Sequence, residues 1–259
     1  MIRICVIGDS QAGAIKVGWD RVRPEFQTLE LTFFAHPGRF MSEWDVDRDS
    51  IMLRPAARAM LKNEPSAGCT IGPGFDYYLL CGLDFGVSPC LQVFRSFRLP
   101  PMGKDARVPI SLECAQLAIR SALFESLAAQ WAVKLDCITE APKGLIPVPM
   151  TGESRRRRRL MVVEEGDAER LVRGIYDRAA ADVAGQLSIE LFAQPVETLT
   201  TPLRTRSRYE RDGDNSHMNW DFGELVVRRV LSSILARFGP ADCTIPTLRA
   251  DDATLGAGS

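Results

Sequence analysis

The sequence predicts a three-layer α/β/α sandwich around a five-stranded parallel sheet, and three observations carry that prediction. Short apolar runs that are almost uninterrupted recur along the chain (ICVI, LELTFFA, YYLLC), the pattern of strands buried on both faces. Each is closed by glycine or turn residues, and most are followed by segments whose apolar residues repeat at three and four, which implies helices covering both faces of a parallel sheet. The composition fits: 259 residues, 46% hydrophobic and 25% charged, supply a sizeable core and exclude disorder, collagen and coiled coil.

In order, Ile2 to Ile7 reads as the first strand, ended by Gly8, and Gln11 to about Val22 as the first helix. Leu29 to Ala35 is the second strand, closed by His36-Pro37-Gly38. Residues 39–74 are weakly patterned, with short helical pieces such as Pro55 to Leu61. Asp76 to Cys81 is the third strand, stopped by Gly82, and Ser88 to Gly103, rich in proline and aromatics, reads as a loop insertion. Ser111 caps one long helix whose buried stripe is Leu112, Ala115, Ile119, Leu123, Leu127 and Trp131. Gly144 to Met150 is the fourth strand, with Asp136 to Thr139 competing, and Pro147 and Pro149 suggest a strand end or edge. Asp167 caps a helix carrying Leu171, Ile175, Ala179 and Val183 and stopped at Gly185, and Ser188 to Ala193 is the fifth strand. Asn219 caps the last helix, with Phe222, Val226, Val230, Ile234 and Phe238 on its face and Gly239-Pro240 at its end.

Charge and cysteine narrow the function classes. Thirty-two Lys plus Arg against 33 Asp plus Glu leave a net charge of −1, so no global basic field exists to hold nucleic acid. The run Arg155 to Arg159 reads as a solvated loop. Seven cysteines without a CxxC pair point to a reducing compartment and away from metal or redox sites, so neither metal nor cofactor is expected. The first apolar run meets Gly8 and Asp9 after six residues, too short for a signal h-region or a membrane span. The expectation is a soluble cytoplasmic protein.

In a doubly wound sheet, ligands bind beyond the carboxyl ends of the strands. The first such turn is Gly8-Asp9-Ser10-Gln11-Ala12-Gly13. A dinucleotide loop needs GxGxxG, and position 10 is serine; a phosphate loop needs GK[ST] after the second glycine spacing, and Ala14 and Ile15 follow Gly13. Two readings remain open on these residues alone: Ser10 merely caps the helix, or it is a nucleophile on a tight turn at a helix N-terminus. A nucleophilic serine needs a base, and the chain has two histidines. His36 precedes Pro37 in a turn, whereas His217 lies in Asp214-Asn215-Ser216-His217, where Asp214 can reach the Nδ1 proton and fix the tautomer.

With both motifs in view the chain resembles the SGNH (GDSL-type) serine hydrolases. Val6-Ile7-Gly8-Asp9-Ser10 resembles that family's first block, and Asp214-Asn215-Ser216-His217 its last, in the family's order Ser, Asp, His. The resemblance implies a flavodoxin-like sheet, an acyl-enzyme on Ser10 with His217 as base and Asp214 as its orienter, and no metal or cofactor. It also implies an oxyanion hole drawing on a glycine after strand two, where Gly38 stands, and on an asparagine in Gly-x-Asn after strand three. Here the sequence departs, with Gly82-Leu83-Asp84. An ionised Asp84 only accepts hydrogen bonds and would repel a developing oxyanion. Asp84 is either protonated and donating, or turned away while Gln11 or Asn215 substitutes, or a sign that hydrolysis is weak; capping of the turn is a further reading. Gln194, leaving strand five on the same edge, is a candidate pocket residue.

The reading is an esterase acting on a small-molecule or glycan acyl ester, such as an O-acyl group on a saccharide or metabolite. An acyltransferase using the same triad and a binding module that lost the oxyanion hole are its alternatives. Because the two motifs lie near opposite ends of the chain and must meet, residues 1–240 are expected to form one domain with insertions at 39–74, 88–110 and 150–165, followed by a tail, 241–259. The sequence leaves the oligomeric state open.

Overall fold

The computed structural model describes residues 1–60, 69–102, 107–154 and 166–239. Five strands, β1 (Ile2–Gly8), β2 (Leu29–Ala35), β3 (Tyr77–Cys81), β4 (Lys143–Ile146) and β5 (Ile189–Leu191), form one sheet in the order β5-β4-β3-β1-β2. Every pairing is parallel. Six helices flank it: α1 (Ala12–Val22), α2 (Ser88–Ser96), α3 (Leu112–Phe124), α4 (Leu127–Asp136), α5 (Asp167–Gln186) and α6 (Trp220–Phe238). The α/β architecture with five parallel strands is the one the sequence implies.

The alternation of side chains along each strand divides the core in two. Ile4 and Val6 of β1 and Tyr77 and Leu79 of β3 pack with Ile15, Trp19 and Val22 of α1 and Val226, Val230 and Ile234 of α6. Their neighbours Cys5, Ile7, Tyr78 and Leu80 face the opposite way, toward α2, α3, α4 and α5. Central β3 and β4 are buried at every position; β3 accordingly reads as a continuous apolar run, β4 opens on the buried Lys143, which pairs with Asp136, and edge strand β2 is only partly covered.

The chain leaves β1 toward β2 on one side and resumes on the other side at β3. The turns after β1 and β3 therefore diverge and leave a crevice at the carboxyl edge, the topological switch point of such a sheet. Helices α1 and α6 set one wall of that crevice by a close approach at two glycines. A Cβ on Gly223 would sit 1.9 Å from the Ala14 carbonyl oxygen, and one on Gly18 would sit 2.3 Å from the Gly223 carbonyl carbon. Arg21 reinforces the contact at the surface, pairing with Asp221 and Glu224 and lying over the Trp220 ring at 5.2 Å.

Several sequence expectations are corrected. Residues 88–96 are a helix, not a loop: Pro89 occupies the first turn, where its missing N–H is harmless, and Cys90, Leu91 and Phe94 are buried. The stripe from Leu112 to Trp131 belongs to two helices. Ser111 caps α3 as expected, but Ser126 starts α4, accepting from the Ala129 amide and donating to the Leu123 carbonyl. Asp167 is the first helical residue of α5 rather than its cap, which is Gly166 at φ 101°, and the helix passes Gly185 to end at Gln186. The reversal there is made by Ser188 at φ 51°. Strand β4 stops at Ile146, before both prolines, and residues 136–139 form the end of α4 and a turn.

Within residues 39–74 the short helix Pro55–Met60 occurs as expected. A three-stranded antiparallel ribbon, Trp44–Asp47, Ser50–Leu53 and Thr70–Ile71, was not legible, because strands of two to four residues show too few periods to read. The ribbon is tied to the body by Trp131, whose Nε1–H donates to the Met41 carbonyl at 3.0 Å and whose ring packs on Trp44. The Arg155 to Arg159 run and the segment 241–259 lie outside the described residues.

Candidate active site

Ser10 sits in the turn between β1 and α1 and is exposed. The N-cap position of α1 is Gln11, and no side chain caps it, so the hydroxyl of Ser10 is not consumed in helix capping. Buried Asp9 shapes the turn. Its Oδ1 accepts the Gln11 amide at 2.9 Å, and its Oδ2 accepts the Leu83 amide at 3.0 Å, across the crevice on the turn after β3. Burial pushes the Asp9 carboxyl above its ordinary range; the two amides and nearby His217 act in the opposite direction, and Asp84 adds to the rise.

That second turn is left-handed over three successive residues: Gly82, Leu83 and Asp84 have φ 73°, 53° and 59°. Gly82 is required twice, by its φ and because a Cβ would lie 2.6 Å from Asp9 Oδ1. Leucine has no such licence, and holding it there costs about 1–2 kcal/mol. The turn is held by Gly82 N–H to the Ile146 carbonyl, Ala128 N–H to the Leu83 carbonyl and Phe85 N–H to the Gly82 carbonyl, besides the Asp9 bond. An acidic residue at position 84 has a local rationale, since Asp and Asn tolerate the left-handed region better than other side chains.

His217 lies on a small antiparallel hairpin, Glu210–Arg211 with Asp214–Met218, turned at Gly213 with φ 71°. Its Nδ1 is 2.6 Å from Asp214 Oδ2, which fixes Nδ1 as donor and leaves Nε2 free to accept a proton. The two side chains are 29% and 31% exposed, so the pair is reachable from solvent. Asn219 locks this hairpin to α6: its Oδ1 caps Phe222, its Nδ2 donates to the Arg208 carbonyl, and its own amide donates to the Tyr209 carbonyl. No hydrogen bond joins Ser10 to His217 among the described residues. The other histidine, His36, is 2% exposed and packs on Trp44 at 5.8 Å.

Gly38, the first residue of the short helix Gly38–Met41, and exposed Asp84 border the same open recess of about 480 Å³. Its other walls include Arg39, Ser42, Glu125 and Gln130. A Cβ at Gly38 would meet nothing within 4 Å. Gln194 lies elsewhere, on a cleft of about 260 Å³ against α6. Its amide braces the wall, with Oε1 accepting the Met150 amide and Nε2 donating to Thr198 and Thr205. The structure thus brings Gly82 to the turn that carries Ser10, sets Gly38 and Asp84 on one recess, and leaves Gln194 in a structural lattice. Sequence reasoning missed Asp9, which it read only as part of a motif. Its neighbour Gly82, the turn glycine after β3, was the available signal.

The chain aligns with several solved structures at low identity. A GDSL-like lipase from Bacteroides thetaiotaomicron aligns over 90% of this chain and 89% of its own, at 13% identity and a TM-score of 0.39. A protein from Lactobacillus plantarum covers 92% and 98% at 16% identity and a TM-score of 0.42, and a DUF4886 family protein from Bacteroides uniformis covers 90% and 82% at 9% identity and 0.45. No family model and no curated protein matches the sequence.

Among the described residues no group of three or more His, Cys, Asp or Glu side chains gathers as a metal site, and no helix is long and apolar enough to cross a membrane.

Proposed function

We propose that the protein is a serine hydrolase that cleaves a carboxylic ester through an acyl-enzyme on Ser10. The carrying observation is the Asp214–His217 pair at 2.6 Å, on a hairpin whose Met218 belongs to the same core cluster as Ala12 of α1 and Cys81 of β3, with Ser10 exposed in the turn before α1. His217 Nε2 takes the Ser10 proton as Oγ attacks the acyl carbonyl and returns it to the leaving alcohol. Asp214 holds the tautomer and stabilises the imidazolium. A water activated by the same nitrogen then releases the acid. Catalytic hydrogen bonds are often long or unformed in a free enzyme and tighten when substrate binds, so Ser10 and His217 are expected to close on the complex.

Backbone amides at Ser10 and Gly38 are the proposed oxyanion donors, and the absence of a Cβ at Gly38 lets an acyl oxygen approach the main chain. Asp84 is exposed and its carboxylate cannot donate, so the hole is weaker than one with asparagine there. The recess offers Arg39, Ser42, Glu125 and Gln130 as polar partners beside the apolar Pro89, Ala122 and Leu127, a mixed wall that can take the hydroxyls and ring faces of a sugar or metabolite carrying a small O-acyl group. Incubation with a fluorophosphonate probe tests the reading. Wild type is expected to be labelled and Ser10→Ala unlabelled; an inert wild type points instead to a binding module, and labelling that survives in Ser10→Ala refutes the nucleophile.

A further inference from the structure

We propose that Asp9 is a positioning residue for this site, one that clamps the Ser10 turn to the left-handed turn 82–84. The proposal rests on the hydrolase reading and adds a residue to it. An Asx-type bond from Asp9 to the Gln11 amide is local and would by itself mark only a turn. The second bond, to the amide of a residue 74 positions away, is not local: it joins the ends of β1 and β3 across the crevice in which the ester would sit.

The carboxylate is 8% exposed and both its oxygens are engaged, so its orientation is fixed. Gly82 leaves room for it, since any Cβ there would press on Oδ1. Ser10 is the next residue in the chain, so a rotation at Asp9 swings the nucleophile directly. The titratable groups that Asp9 senses are Asp84 and Cys81 from the β3 end and His217 from the hairpin.

The test measures the rate of fluorophosphonate labelling of the full chain, and kcat and KM for a small aryl ester, beside thermal unfolding of each variant. Asp9→Asn is expected to label about 10²-fold more slowly than wild type, the scale of a misplaced nucleophile, with the loss in kcat rather than in KM. Gly82→Ala leaves Asp9 in place but displaces its carboxylate. It is expected to slow labelling in the same way, and it keeps the proposal testable if Asp9→Asn does not fold. A folded Asp9→Asn with the wild-type rate overturns the proposal. So does a folded Gly82→Ala that labels at the wild-type rate. A wild type that is not labelled removes the hydrolase reading and this proposal together, whereas a labelled wild type with an unaffected Asp9→Asn removes this proposal alone.

Discussion

Two aspartates near one crevice illustrate how little residue type says without its surroundings. Asp9 is buried and accepts two amides; Asp84, in a left-handed turn, is exposed at the edge of an open recess. Replacing Asp84 by Asn keeps shape and left-handed tolerance and adds a donor. Turnover of a small aryl ester is therefore expected to rise, by up to about 10²–10³ if the new amide reaches the oxyanion. An unchanged rate would place Asp84 outside the hole. Asp214→Asn should leave the fold intact and lower the same rate by about 10⁴, through loss of the working tautomer. For Asp9 the linkage has a definite sign. Its folded-state value lies above the ordinary 3.8, so the native state binds the proton more tightly than the unfolded chain does. That contribution is present at low pH and is lost as pH rises through the folded value. The stability of wild type relative to Asp9→Asn should accordingly fall as pH increases from about 4 toward neutrality, as measured by paired denaturant titrations.

At the level of elements, the signals that proved readable were those with a local mechanism. Ser111 and Asn219 are helix caps both by residue type and by hydrogen bond, and β1 and β2 begin and end within a residue or two of where their apolar runs do. Helix α2 was hidden because Pro89, a helix breaker in the interior, is harmless in a first turn. The break between α3 and α4 was hidden because Leu123, Leu127 and Trp131 keep a four-residue spacing across Ser126. Asn219→Ala removes the α6 cap and the tie to the Arg208 carbonyl together. It should cost about 1 kcal/mol, or a midpoint lower by about 2–4 °C, with slower labelling because the His217 hairpin loses its anchor. Gly223→Ala forces α6 away from Ala14 and should destabilise by about 1–3 kcal/mol or more, a calorimetric measurement.

Over the whole molecule, Ser10 and the proposed base His217 come from opposite ends of the chain, which the α1–α6 contact joins. A chain ended after residue 211 would lose His217 and would expose the apolar face formed by Trp19, Ile4, Val6 and Leu79. It is expected to bind a hydrophobic dye and to remain unlabelled by the probe, whereas a well-folded, monodisperse truncation would refute the structural part assigned to α6. The sequence by itself determined the five parallel strands, which depend on local periodicity, and it nominated Ser10, Asp214, His217 and Asp84 as candidates through residue chemistry alone. Only the tertiary structure decided which turns share the crevice, that Asp9 bridges them, that Gln194 braces a wall, and that three successive residues after β3 adopt left-handed backbone. Each of these arises between residues tens of positions apart, or from strain that the rest of the fold must hold in place, and no local pattern encodes either.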